Sequence, residues 1–163
     1  MTDERMGEAL WPALERLPRG SGVVFRHYAL PLAERRALFA RIRQVARRRG
    51  LVLVRAGARP MRGESGVHGG RGRGIRTAPA HDRRAAIAAL RAGAQALFVS
   101  PVFTTRSHPG GRALGRARFG LLIRGLDVPV IALGGMDARK AASLKRFGIH
   151  GWAAIDAWTN GGS

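Results

Sequence analysis

The feature that most constrains this chain is a rhythm of short apolar runs set between helical segments. Short strand runs stand at 22–28, 51–54, 96–103, 128–133 and 151–158, and the run at 51–54 is apolar throughout. Strands of that kind belong to parallel sheets covered on both faces. Helical periodicity fills the intervals at 32–49, 83–91, 116–126 and 138–147, with an opening helix at 6–17. Strands that alternate with helices imply right-handed parallel crossovers, and hence either a (βα) barrel or an open doubly wound sheet. Nothing in the 163 residues marks a boundary, so a single α/β domain is expected.

Local signals support these elements. Met6, Leu10, Leu14 and Leu17 share a face of the first helix, which Pro18-Arg19-Gly20 ends. In the 32–49 helix, Leu38, Ile42 and Val45 point inward, arginines line the other side, and Gly50 is the C-cap. Asp82 caps the 83–91 helix and Gly93 closes it. The stretch 55–77, rich in glycine and arginine, is the least regular, with one brief strand candidate at 66–68.

Several classes of function are excluded or pushed back. The chain has no cysteine, so disulfides, thiolate metal sites and a catalytic thiol are absent. No run approaches the roughly 18 apolar residues of a membrane span, and residues 1–5 lack a signal-peptide order, so a cytoplasmic protein with no membrane partner is expected. The net charge of +19 would favour polyanions through counterion release. Yet Lys140 and Lys145 are the only lysines among 29 basic residues, a skew that GC-rich coding produces whatever the function. Aromatic residues make up only 6%, too few for a base-stacking platform, and the arginines spread over most helices. Nucleic acid therefore ranks last among partners, behind a phosphorylated small molecule.

The residues able to carry chemistry follow the strands. Gly70 to Gly74 misses the dinucleotide spacing, and Gly110 to Arg116 lacks the lysine and hydroxyl of a P-loop, so both read as plain loops. Gly134-Gly135, between an apolar strand and a helix, lets backbone N–H groups approach an anion, and a helix N-terminus would add to the attraction. Ser100, Thr105, Arg106, Ser107 and His108 leave the end of another strand together, a set suited to hydrogen bonding a phosphate. His81, at a strand end, is a candidate ligand or general base, and His108 a candidate anion contact. His27 and His68 join them if strand alternation turns them the same way, while His150 lies at the opposite strand end.

Taken in order, Gly66-Val67-His68, the His81 strand end, the 100–108 loop and the 129–136 turn resemble the thiamine phosphate synthases and TenI-like proteins. That resemblance implies a (βα)8 TIM-type barrel, incomplete here because the first strand and last helix are short or missing. It also implies coupling of a pyrimidine diphosphate to a thiazole phosphate with Mg2+. Thr105, Ser107, Gly134 and Gly135 match the thiazole-phosphate contacts. The diphosphate half is eroded. The family's Q-L-R-E-K-like strand reads Val24-Phe25-Arg26-His27-Tyr28, and its Asn-Asp pair reads Arg55-Ala56. No aspartate follows Gly66-Val67-His68 closely, so the expected Mg2+ carboxylates are not found. His108 replaces a loop lysine, Pro79 a serine, and Asp156 stands where a serine is usual. Arg26, His81 and His108 are the catalytic candidates, with Arg55 as a further cation for departing diphosphate. A TenI-like tautomerase and a non-catalytic phosphate-ligand sensor are the alternatives, although Pro101 stands where a tautomerase histidine is expected. Open strand edges suggest a homo-oligomer or a chain that starts upstream.

Overall fold

The computed structural model describes residues 1–105, 112–155 and 157. The chain divides into two compact units, Met1–Arg76 and Thr77–Ala157, with the division falling inside one strand.

In the first unit a 3-10 segment, Glu4–Ala9, leads into helix α1 (Leu10–Arg16). The 6–17 helix of the sequence is thus broken early, because Gly7 sits at φ 47° and ψ −132°, outside helical geometry. Strand β1 (Gly22–Phe25), helix α2 (Leu32–Arg49), β2 (Val52–Ala56) and β3 (Gly66–His68) follow. The strands are parallel and in chain order, with Phe25 beside Arg55 and Ala56 beside His68. This register brings the C-terminal ends of all three level. Helix α2 has the bounds its periodicity predicts, and Gly50 ends it at φ 65°. Its buried face differs in part: Phe39, Ile42 and Ala46 are buried together with Arg35, whereas Leu38 and Val45 are only half-buried. Arg35 is tolerated because its Nε and Nη2 donate to the His27 and Ala56 carbonyls, both at 2.7 Å. The ring of Phe25, edge-on to Phe39 at 5.3 Å, lies 5.0 Å under the same guanidinium.

The second unit takes up most of β4 (Ile75–Ala80), then α3 (Arg83–Arg91), β5 (Ala96–Val99), α4 (Gly115–Ile123), β6 (Val130–Leu133), α5 (Ala138–Leu144) and β7 (Gly151–Ala153). Strands β4 to β7 are again parallel and in chain order, with Ala80 beside Val99, Val99 beside Ala132 and Leu133 beside Ala153. Leu97, Val99, Val102, Phe119, Ala132 and Leu144 form the centre of this unit's core. As expected, Asp82 caps α3, accepting the Ala85 N–H at 2.7 Å. Strands β5 and β7 are shorter than the sequence runs. Beyond β5 the chain turns at a cis Ser100–Pro101 bond, and Pro101 has no N–H to continue a ladder.

The fold is therefore α/β, with seven strands among the described residues; helices separate them except from β2 to β4, which follow one another without a helix between. No helix among those residues is long and apolar enough to cross a membrane.

Candidate functional site

Each unit presents chemistry at the C-terminal ends of its strands. In the second unit the register sets His81, Ser100 and Gly134 immediately beyond three adjacent strand ends. The His81 Nδ1 lies 2.8 Å from the Ser100 carbonyl oxygen. A carbonyl can only accept, so Nδ1 carries the proton and Nε2 offers its lone pair. The Ser100 hydroxyl stands 3.4 Å from the same nitrogen. His81 is exposed, and so keeps Nε2 open to a ligand.

The Gly134-Gly135 turn is locked against the segment after β5. Val102 N–H donates to the Leu133 carbonyl at 2.9 Å and Phe103 N–H to the Gly134 carbonyl at 3.1 Å. Both glycines have positive φ, 95° and 60°. A Cβ on Gly134 would meet Pro101 Cα at 2.8 Å, and one on Gly135 would meet the Thr104 carbonyl oxygen at 2.2 Å. Only glycine satisfies both the conformation and the contact. The result is a half-buried turn packed on the segment that follows Ser100, with half-buried Thr105 in the same loop. Arg106, Ser107, His108 and Asp156 lie outside the described residues.

Sequence reasoning missed Lys140. Its Nζ donates to the Gly135 carbonyl at 2.7 Å, approaches Asp137 Oδ2 at 3.3 Å and lies 5.5 Å above the Phe103 ring. The available signal was composition: a lysine five residues past a Gly-Gly turn in a chain that otherwise uses arginine. Asp137 caps α5 by accepting the Lys140 N–H at 2.7 Å, and that bond, with the ammonium beside it, holds its carboxyl below the usual range.

The first unit's strand ends hold cations already engaged. Arg26 is half-buried, with Nη1 3.9 Å from Asp3 and its guanidinium 5.9 Å over Tyr28. Arg55 is almost fully buried: Nε pairs with Glu64 at 2.7 Å, Nη2 donates to the Arg71 carbonyl at 3.0 Å, and Nη1 donates to the Gly57 carbonyl. The Nε–Glu64 contact is an ion pair without hydrogen-bond alignment. The expectation that Arg55 assists a leaving diphosphate thus meets a guanidinium committed to holding the 57–71 segment. His27 is likewise structural. The Thr2 hydroxyl accepts the Arg26 N–H at 3.1 Å and shares a hydrogen bond with His27 Nδ1 at 3.0 Å, with Phe25 stacked on the imidazole at 5.1 Å. Burial lowers the His27 pKa, although Glu4 and Asp3 oppose the shift. His68 is pushed down to about 4, by burial first and then by Arg26 and the chain's amino terminus. Both imidazoles are therefore neutral near pH 7.

These observations can be set beside known proteins. Residues 75–158, about half of the chain, match the family model for thiamine monophosphate synthase. The chain belongs to the thiamine monophosphate synthase family. Over 79 residues it is 33% identical to the thiamine-phosphate synthase of Chloroflexus aurantiacus, covering 48% of this chain and 37% of that protein. The corresponding protein of Salinispora tropica is 39% identical over 79 residues, covering 48% and 38%. The matched stretches thus span little more than a third of these relatives' length. The thiamine phosphate pyrophosphorylase structure from Pyrococcus furiosus has a TM-score of 0.78 at 22% identity, covering 95% of this chain and 83% of that one. That likeness speaks for the synthase-family fold. The family match contains the second unit's His81–Ser100 pair and Gly-Gly turn, and leaves out Arg26 and Arg55.

A magnesium ion is implied by the family, and the donor set can be tested for it. Among the described residues no group of three or more His, Asp or Glu side chains is placed to hold a metal. Glu64, a carboxylate near the first unit's strand ends, is neutralised by Arg55 and accepts the Met61 N–H at 2.8 Å. Magnesium wants several oxygen ligands in near-octahedral order. These residues do not fit it.

Proposed function

We propose that this chain acts in thiamine biosynthesis by binding a thiazole phosphate at the strand ends of its second unit, within a thiamine phosphate synthase-like (βα)8 barrel. The observation that carries the reading is the Gly134-Gly135 turn, pressed so closely on the 101–104 segment that no side chain fits. A turn of that kind offers backbone N–H groups to phosphate oxygens. Thr105, Arg106 and Ser107 supply further hydrogen bonds from the loop, and Ser100 and His81 flank the ligand.

The relatives are named thiamine-phosphate synthases, and the resemblance in the sequence implies coupling to a pyrimidine diphosphate. Coupling would require charge stabilisation for the departing diphosphate. Arg26 and His108 are assigned that task here, with His81 Nε2 as the proton acceptor or donor. Binding of thiazole phosphate without coupling is the second reading, as a TenI-like tautomerase or a phosphate-ligand sensor. It is favoured by the engagement of Arg55 with Glu64 and two carbonyls.

The deciding experiment is calorimetric titration with thiazole phosphate, followed by addition of the pyrimidine diphosphate with and without Mg2+ while thiamine phosphate is measured. Product formation supports the synthase. Thiazole-phosphate binding with no product in either condition supports the second reading, and absence of binding removes the phosphate site.

A further inference from the structure

The ammonium of Lys140 is bonded to the back of the very turn proposed to meet the phosphate. We propose that Lys140 is a positioning residue for anion binding, holding the Gly135 carbonyl so that the Met136 N–H is turned toward a phosphate. This rests on the reading that the second unit's strand ends take a phosphorylated ligand.

The geometry follows from the peptide bond. In a planar trans peptide the C=O of one residue and the N–H of the next point in opposite directions. Among the described residues the only cis bond is Ser100–Pro101, so Gly135–Met136 is trans. Fixing the Gly135 oxygen on Nζ at 2.7 Å therefore aims the Met136 N–H to the other side. The carbonyls of this turn are all occupied, Leu133 by Val102, Gly134 by Phe103 and Gly135 by Lys140. Among the described residues no acceptor takes the Met136 N–H. The Met136 side chain is buried, which anchors the peptide from its other end.

Asp137 completes the device in two ways. Its carboxylate steadies the ammonium at 3.3 Å, and it fills the first turn of α5 by accepting the Lys140 N–H. The helix end itself is thus occupied, and the anion is met by the turn preceding it. Lys140 also offsets the repulsion that Asp137 would exert on a phosphate. A compact ammonium suits one carbonyl and one carboxylate better than a planar fork does. That accounts for a lysine at this position in a chain with only two.

The test follows the Met136 amide by 15N NMR in the full chain, titrated separately with inorganic phosphate and thiazole phosphate. The proteins are the wild type, Lys140→Met and Lys140→Gln. The expected result is a saturable Met136 shift with both anions, about tenfold weaker binding in Lys140→Met, and recovery to within about threefold in Lys140→Gln, which keeps a donor. Affinity for the unphosphorylated thiazole alcohol should be the same in all three. A Met136 amide unmoved by either anion, or Lys140→Met binding both as the wild type does, overturns the assignment. If thiazole phosphate binds while Lys140→Met changes nothing, the positioning role falls and the substrate reading stands. If Met136 answers to inorganic phosphate but thiazole phosphate binds no tighter, the substrate reading falls and the positioning role stands.

Discussion

Replacing Gly135 by alanine separates two costs that are usually entangled. Gly135 has φ 60°, a conformation that costs an ordinary residue about 1–2 kcal/mol. Its added Cβ would also meet the Thr104 carbonyl oxygen at 2.2 Å and two Phe103 atoms at 3.1 Å. An ordinary contact begins near 3.4 Å, so the Phe103–Thr104 backbone must retreat by more than an ångström. Gly148 supplies the control, with φ 77° and nothing within 4 Å of its added Cβ. Gly148→Ala should lose about 1–2 kcal/mol, the backbone cost alone. Gly135→Ala should lose that plus about 1–3 kcal/mol for overpacking, and should abolish any thiazole-phosphate binding. Urea unfolding of both variants beside the wild type measures the difference. Equal losses in the two variants, within about 0.5 kcal/mol, would refute the argument that the turn is seated against the 101–104 segment.

The other predictions draw on the cores, caps and buried charges. Phe119→Ala, at the centre of the second core, should cost about 3–5 kcal/mol in the same unfolding assay. Asp82→Ala removes the α3 cap and should cost about 1 kcal/mol, with Asp82→Asn restoring most of it. Glu64→Leu leaves the Arg55 charge buried and should cost about 3–5 kcal/mol, whereas Arg55→Leu combined with Glu64→Leu should cost much less. The His68 pKa is depressed to about 4, below its value of 6.5 in the unfolded chain. The unfolded chain therefore binds the proton more readily, so this contribution is complete above about pH 6.5 and is lost as pH falls toward 4. It amounts to about 3 kcal/mol, and buried His27 adds to the same slope. Unfolding free energies measured from pH 7 to pH 4 should show the decline, and His68→Asn should flatten it.

What could be read from the sequence depended on whether a signal was local. Helix α2 and helix α3 have their predicted bounds, because periodicity, Gly50 and the Asp82 cap all lie within a few residues of what they control. Strand β4 was hidden apart from its end at His81. Its first residues, Ile75 and Arg76, are exposed and Pro79 interrupts it, so no apolar run announces it. The break at Gly7 was hidden too, since the apolar spacing continues across it. At the candidate site the Gly-Gly turn was legible from glycine's conformational freedom. The engagement of Arg55 was not, because Glu64, Gly57 and Arg71 are brought to it only by the folded path of the intervening chain. Lys140 was passed over for the same reason: its partner carbonyl belongs to the backbone and leaves no trace in residue type.

The Arg55–Glu64 pair also bears on the history open to this chain. Losing Glu64 first strands a buried guanidinium, and losing Arg55 first strands a half-buried carboxylate. Either single substitution passes through a less stable protein, even where the double replacement is tolerable. Once acquired, the pair acts as a ratchet, since a lineage drifting one mutation at a time is held on the near side of a fitness valley. Installing an Asn-Asp pair at positions 55 and 56 would have to begin with compensation at Glu64, nine residues downstream. An arginine paired in this way is thus harder to replace by single substitutions than an exposed one.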